Sequence, residues 1–193
     1  CAAITQQVAS WTISFYVREH GLSVAVASTM IGTTSLICGP TGHLFGGWLS
    51  DRMRARGIAG AEPLGLAAIL AAGTVLVILF CLSPRIELAA LFFGLSYFVI
   101  SSCGPLGYGG TQLPTPDHYR GVVSAIFLTV FTVLGTGMGP FIVSLVTDYG
   151  FRSEEMLGPA MIVTTLGFAA IGIPFALAGR RAFATAVTAH QKP

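Results

Sequence analysis

In Gly46-Gly47-Trp48-Leu49-Ser50-Asp51-Arg52-Met53-Arg54-Ala55-Arg56 an apolar run stops and charge begins. Small residues, a Trp and a Leu close a long uncharged segment, and one acid and three arginines follow at once. On the N-terminal side the uncharged run covers residues 25–49; on the C-terminal side the next begins at 64 and extends to 82. Similar runs occupy 88–110, 122–146 and 156–178, and a shorter one, 4–17, opens the chain. A helix needs about 20 mostly apolar residues to cross a hydrocarbon core about 30 Å thick. These runs fit that requirement, with the first cut short by the start of the chain. The predicted fold class is therefore an all-α membrane protein of six transmembrane helices.

Bulk composition agrees. Hydrophobic residues make up 53% of the 193, charged residues 9%, and mean hydropathy is +0.77. A soluble domain carries about 25% charged residues to solvate its surface, so the long uncharged stretches exclude one. A net charge of +2 is too small to imply a nucleic-acid partner. Cys1, Cys38, Cys81 and Cys103 show no CxxC spacing and sit in or beside apolar runs, where they read as small apolar fillers. No metal or other cofactor is called for. Cys1 stands where an initiator Met is expected, without a basic leader before it, so the chain is expected to begin partway through a larger protein.

The connections at 18–21, 51–62, 83–87, 114–120 and 148–155 hold nearly all the charge. Alternate connections divide it unequally. One side receives Arg52, Arg54, Arg56, Arg120, Arg180, Arg181 and Lys192, whereas the other receives Arg18, Arg85 and Arg152, the last beside Glu154 and Glu155. The positive-inside rule makes the first side cytoplasmic, with the C-terminus there too, and implies an even number of crossings. Loops 50–62 and 114–120 and a tail at 180–193 are thus expected in the cytoplasm, the membrane being a bacterial inner (plasma) membrane.

Gly42 and Gly46 stand four apart, as do Gly135 and Gly139, and close helix packing accounts for both pairs. An internal echo links the same segments. Gly39-Pro40 lies in the second run, which ends at Asp51, and Gly139-Pro140 lies in the fifth, which ends at Asp148. The second and fifth helices are equivalent if six helices form two triplets of opposite orientation, an inverted three-plus-three repeat.

The segment from Gly46 to Arg56 resembles the cytoplasmic signature of the major facilitator superfamily, roughly Gly-x-Leu-Ala-Asp-Arg-x-Gly-Arg-Arg. Gly47, Leu49, Asp51, Arg52 and Arg56 match, Ser50 is a mild change, and Arg54 and Ala55 depart. This degraded form looks like the second copy of the signature, between helices eight and nine of a twelve-helix transporter. The resemblance implies that residues 1–179 are helices seven to twelve, the C-terminal half, and that an N-terminal six-helix half is the missing partner. Arg18-Glu19-His20-Gly21-Leu22-Ser23 and the segment from Pro116 to Ala125 are similar to the same regions of spinster-like and related organic-anion facilitators. The implied mechanism is alternating access, in which Gly47, Asp51, Arg52, Arg56 and Arg120 form a breakable latch against the absent half.

In this superfamily helices seven and ten line the cavity. Their counterparts carry Thr5, Gln6, Gln7, Ser10, Trp11, Ser14 and Tyr16, and Ser96, Tyr97, Ser101, Ser102, Tyr108 and Gln112, with Gly104-Pro105 expected to break the backbone ladder of the latter. Interhelical hydrogen bonding accounts for each Ser or Thr as well as ligand contact does. Gln6, Gln7, Trp11 and Tyr97 are the preferred substrate contacts. His43 is the one imidazole inside a run; packing or wetting near the cytoplasmic end accounts for it better than proton coupling.

The functional expectation is a secondary transporter of a small organic solute or lipid-like molecule, with membrane lipid around it. A non-transporting six-helix subunit or scaffold is the alternative. An enzyme is disfavoured by the absence of HExxH, GxSxG and a buried acid pair.

Overall fold

The structure, a computed structural model, describes residues 1–151 and 156–190. Arg152, Glu154, Glu155 and Lys192, which enter the charge argument, lie outside the described residues. Helices make up the fold, with no strand among the described residues: α1 (Ala2–His20), α2 (Val24–Ala55), α3 (Ala61–Cys81), α4 (Ile86–Ser101), α5 (Cys103–Gln112), α6 (Arg120–Thr132), α7 (Gly139–Leu145) and α8 (Leu157–His190). The α4–α5 pair forms one rod, and the stretch Asp117–Phe151, containing α6 and α7, forms another. Five rods are long and apolar enough to cross a membrane, and α1 makes the sixth helix of the bundle. With this composition, the chain is built as an integral membrane protein.

Local chemistry explains the boundaries. Gly21 ends α1 at φ 67, a left-handed conformation that suits a residue without Cβ. Ser23 then caps α2, its side chain accepting from the Val26 N–H at 3.4 Å. The sequence expectation placed 51–62 in a loop, and the structure corrects it. Helix α2 runs through Ala55, and α3 already starts at Ala61. With 32 residues rising about 1.5 Å each, α2 outruns a hydrocarbon core of about 30 Å. Its arginine-bearing end is therefore free to continue as a solvated helix. Similarly, α8 continues without a break through Arg180 and Arg181 to His190.

Two rods are interrupted at their prolines. Pro105 has no N–H to give the Ser101 carbonyl, and the ladder breaks there: Ser102 N–H turns back to the Val99 carbonyl at 3.2 Å. Pro140 likewise leaves the Thr136 carbonyl without its usual donor, and the rod widens into a π turn at Val133–Met138. A second π turn follows at Val146–Phe151.

Helix α3 is central and packs most extensively on α8 and α4. The core around it includes Phe15, Val77, Phe80, Phe93, Ile100 and Met161. The two outlying rods are held differently. Helix α2 buries only Ala27, Gly39, Gly42, Gly46 and Ser50. A Cβ at Gly42 would collide with the Phe98 carbonyl, and one at Gly46 with the Ser102 carbonyl. The α6–α7 rod mirrors this, burying Gly135, Gly139, Val143 and Thr147. Cβ atoms at Gly135 and Gly139 would collide with Ala2 and Ala3 of α1. The second helix thus leans on the fourth through a glycine pair, and the fifth leans on the first through a glycine pair of its own. That exchange is what an inverted repeat of two triplets requires.

Candidate functional site: the arginine-bearing end and the uncovered faces

At one end of the bundle the α2–α3 turn, the start of α6 and the end of α8 come together. Glu62, in the first turn of α3, is 3% exposed. Its Oε1 accepts from Ser50 Oγ at 3.3 Å and lies 3.5 Å from Arg54 Nε. The same guanidinium reaches Asp51 one turn back, through Nη2. One arginine therefore joins an exposed carboxylate (73% exposed) to a buried one (4%). Arg180 of α8 seals the turn, donating from Nε to the Ala59 carbonyl at 2.9 Å. Gly60 permits this approach, because a Cβ there would run into Arg180 and its φ is 63.

Within this chain Arg54 holds Asp51, whereas Arg52 and Arg56 are exposed and form no ion pair among the described residues. On a helix, residues three or four apart face one another and adjacent ones do not. Arg120 pairs locally with Asp117 at 3.1 Å. Gly47 is half-buried, and among the described residues no atom beyond its own helix turn lies within 4 Å of the place its Cβ would occupy. Sequence reasoning missed Arg54 and Glu62. Pro63 was the available signal: proline suits a helix's first turn, so α3 could begin ahead of it and take Glu62 inside, favourably near the helix N-terminus.

The expected substrate contacts lie on two helices and are not brought together as a set. Gln7 is fully buried; its amide donates to Thr165 Oγ1 and, at 3.4 Å, to the Met161 carbonyl, both on α8. The structure does not bring Gln7 to an open surface, and its Oε1 has no hydrogen-bond partner among the described residues. Trp11 is half-buried and donates to the Pro140 carbonyl at 3.2 Å, tying α1 to α7. Gln6 is half-buried. Tyr97 stacks on Phe93, ring centroids 5.8 Å apart, and its ring edge faces Gly39 of α2. A lateral cavity of about 480 Å³ opens between α3, α5, α6 and α8, walled mainly by Leu66, Leu106, Phe127 and Phe175, with Glu62 at its border.

Most of α2 and of the α6–α7 rod faces outward. Leu36, Leu44 and Trp48 are exposed on the first, Val122, Val133 and Phe141 on the second. Two rods with only one packed stripe each, flanking a compact trio of α3, α4 and α8, define the class: a six-helix half-bundle of the major-facilitator fold.

Solved structures bear this out. The crystal structure of a bacterial homologue of the human lysosomal transporter Spinster, inward-facing and unoccupied, superposes with a TM-score of 0.71 at 15% identity, over 100% of this chain and 47% of that one. The occupied inward-facing form gives a TM-score of 0.59 at 17% identity, over 98% of this chain and 47% of that chain. This chain thus spans about half the length of the transporters whose fold it shares. No family model matches the sequence, and no curated protein does.

Proposed function

We propose that this chain is the C-terminal half, helices seven to twelve, of a secondary active transporter that carries a small organic solute or lipid-like molecule by alternating access. One observation carries the reading: the whole chain matches 47% of a transporter whose remaining half has no counterpart here, while α2 and the α6–α7 rod offer broad uncovered faces. A second six-helix half is the partner such faces suit, and Gly47 leaves room for one of its helices. The arginine-bearing end faces the cytoplasm in this reading, because it gathers Arg52, Arg54, Arg56, Arg120, Arg180 and Arg181.

Gln6, Trp11 and Tyr97 contact the solute, and Gln7 anchors the α1 wall to α8. Asp51, held by Arg54, is the mobile side of the latch, with Arg52, Arg56 and Arg120 available to the partner half. The spinster-like branch is the preferred affiliation, and the membrane is a bacterial plasma membrane. The test is solute-dependent charge movement or uptake by the full-length protein in proteoliposomes, with and without a pH gradient, across a panel of organic acids, amines and single-chain lipids. A folded protein that moves none of them while it holds a partner subunit stably belongs to the scaffold class instead.

A further inference from the structure

Helix α2 buries one narrow stripe at its inner half, Gly39, Gly42, Gly46 and Ser50, and leaves a flank open on either side of it. Gly47, Asp51 and Arg54 share one flank. Phe45, Leu49, Arg52 and Arg56 recur at three- and four-residue spacing along the other, so they form a single row. Ring contacts tie this row to α4: the centroid of Phe45 lies 5.7 Å from that of Trp48 and 5.3 Å from that of Phe98. Phe98 in turn borders an apolar groove of about 420 Å³ between α2 and α4, walled by Cys38, Ala90, Leu91, Gly94 and Leu95. Leu91 and Leu95 are exposed, so the groove opens on the side of the bundle.

Depth orders these parts. Leu49 ends the apolar run, and Cys38 precedes it by about 16 Å at 1.5 Å per residue. Half of a hydrocarbon core is about 15 Å, so the groove sits near the bilayer midplane. Exposed Trp48 falls at the membrane interface, where indole rings concentrate. Arg52 and Arg56 follow one and two turns on, at headgroup level. Both are exposed and form no ion pair among the described residues, whereas Arg54 is committed to Asp51 and Glu62. Like charges four apart on a helix repel each other, and an anion between them relieves that repulsion. The α2 dipole, negative at this end, opposes an anion, so the two guanidinium groups must carry the contact. A zwitterionic headgroup is a poorer match, because it brings a cation to two cations.

We propose that this flank of α2 binds a membrane phospholipid with a net negative headgroup. Its phosphate bridges Arg52 and Arg56, and its acyl chain passes Trp48 and Phe45 into the α2–α4 groove. The site goes beyond the transporter reading, since it requires only that α2 cross the membrane. It also bears on the latch, because a lipid held there competes with another half for the same two arginines.

The test is photo-crosslinking of the full-length protein in phosphatidylcholine nanodiscs doped with phosphatidylglycerol that carries a diazirine at one acyl-chain end. Peptide mass spectrometry locates the adducts, which are expected on Cys38, Leu91 and Leu95. Arg52→Gln and Arg56→Gln should each lower this labelling by about fivefold, the scale of one arginine beside anionic lipid. The double variant should fall to the level of a phosphatidylcholine probe with the same tail. Replacing both arginines by Lys, which keeps the charge, should stay within about threefold of the wild type. Arg181→Gln, at the same end but on α8, should leave the labelling unchanged. Equal labelling by the two headgroups, or an equal loss in Arg181→Gln, would reduce the effect to a general positive end and overturn the site. Displacement by soluble glycerophosphate would assign the arginines to a free phosphate and overturn the lipid. Since no flux is read, failure here leaves the transporter reading standing, and absent flux with intact labelling does the reverse.

Discussion

Arg54 and Glu62 form an ion pair across the α2–α3 turn, Nε to Oε1 at 3.5 Å, in which the carboxylate is 4% exposed and the guanidinium 43%. Ser50 donates a hydrogen bond to the same carboxylate oxygen, Oγ to Oε1 at 3.3 Å. Removing the cation strands a buried charge, whereas neutralising the acid does not. Arg54→Ala should therefore cost about 1–3 kcal/mol, more than Glu62→Gln, and the double variant should cost less than the sum. Denaturant unfolding of the four proteins in detergent checks the order. Equal costs for the two single variants would remove the buried pair from the account.

Asp51 is the exposed partner of the same arginine, and exposed pairs contribute little to stability, about 0–1 kcal/mol. Asp51→Asn should leave the unfolding midpoint nearly unchanged. If the latch reading holds, transport should nevertheless fall by about tenfold, since a factor of ten corresponds to 1.4 kcal/mol between two conformations. Proteoliposome flux beside thermal unfolding measures both, and unchanged flux would sink the latch.

The glycines of α2 separate packing from docking. Gly42→Val and Gly46→Val push a side chain into the Phe98 and Ser102 carbonyls and should destabilise by about 1–3 kcal/mol. Gly47→Val meets no neighbouring element among the described residues and should stay within about 0.5 kcal/mol of the wild type. Reduced flux for Gly47→Val with unaltered stability is expected if another six-helix half closes on that face.

Gln7 and Thr165 form a buried polar pair between α1 and α8. Thr165→Val removes the main acceptor of the amide and should cost about 1–2 kcal/mol, while Gln7→Leu also removes the orphaned Oε1 and should be nearer neutral. A double-mutant cycle read by unfolding tests it; additive costs would deny the pairing.

The sequence was most readable where the physics is one-dimensional. Hydropathy located the apolar part of each rod, since crossing a hydrocarbon core needs length and little else. The glycine pairs were legible as packing, and the structure shows what each packs against. The Pro105 break was legible as well, because a missing N–H is a fact about one residue. Helix ends beyond the core were not: Asp51 to Ala55 is charged, and charge reads as loop, yet α2 runs on through Ala55 and stays hydrogen-bonded. The pairing of Asp51 was hidden for the same reason, since the three-residue spacing to Arg54 matters only once that segment is known to be helical. Glu62 was assigned to a loop although Pro63 beside it marks a helix start. The side of α1 that Gln7 faces depends on where α8 lies, and no local pattern carries that.

The central position of α3 has a consequence for biogenesis. Its main packing partner, α8, starts only at Leu157, and the residues between Cys81 and Leu157 must be synthesised before the two can meet. At about 5–20 residues per second, α3 waits roughly 4–15 s in the membrane with one of its faces unmatched. A product truncated before Leu157 never acquires that match. It would present the α3 surface around Leu70, which lies against Gly172 of α8, to the surveillance proteases of the membrane, making α8 the checkpoint for this bundle.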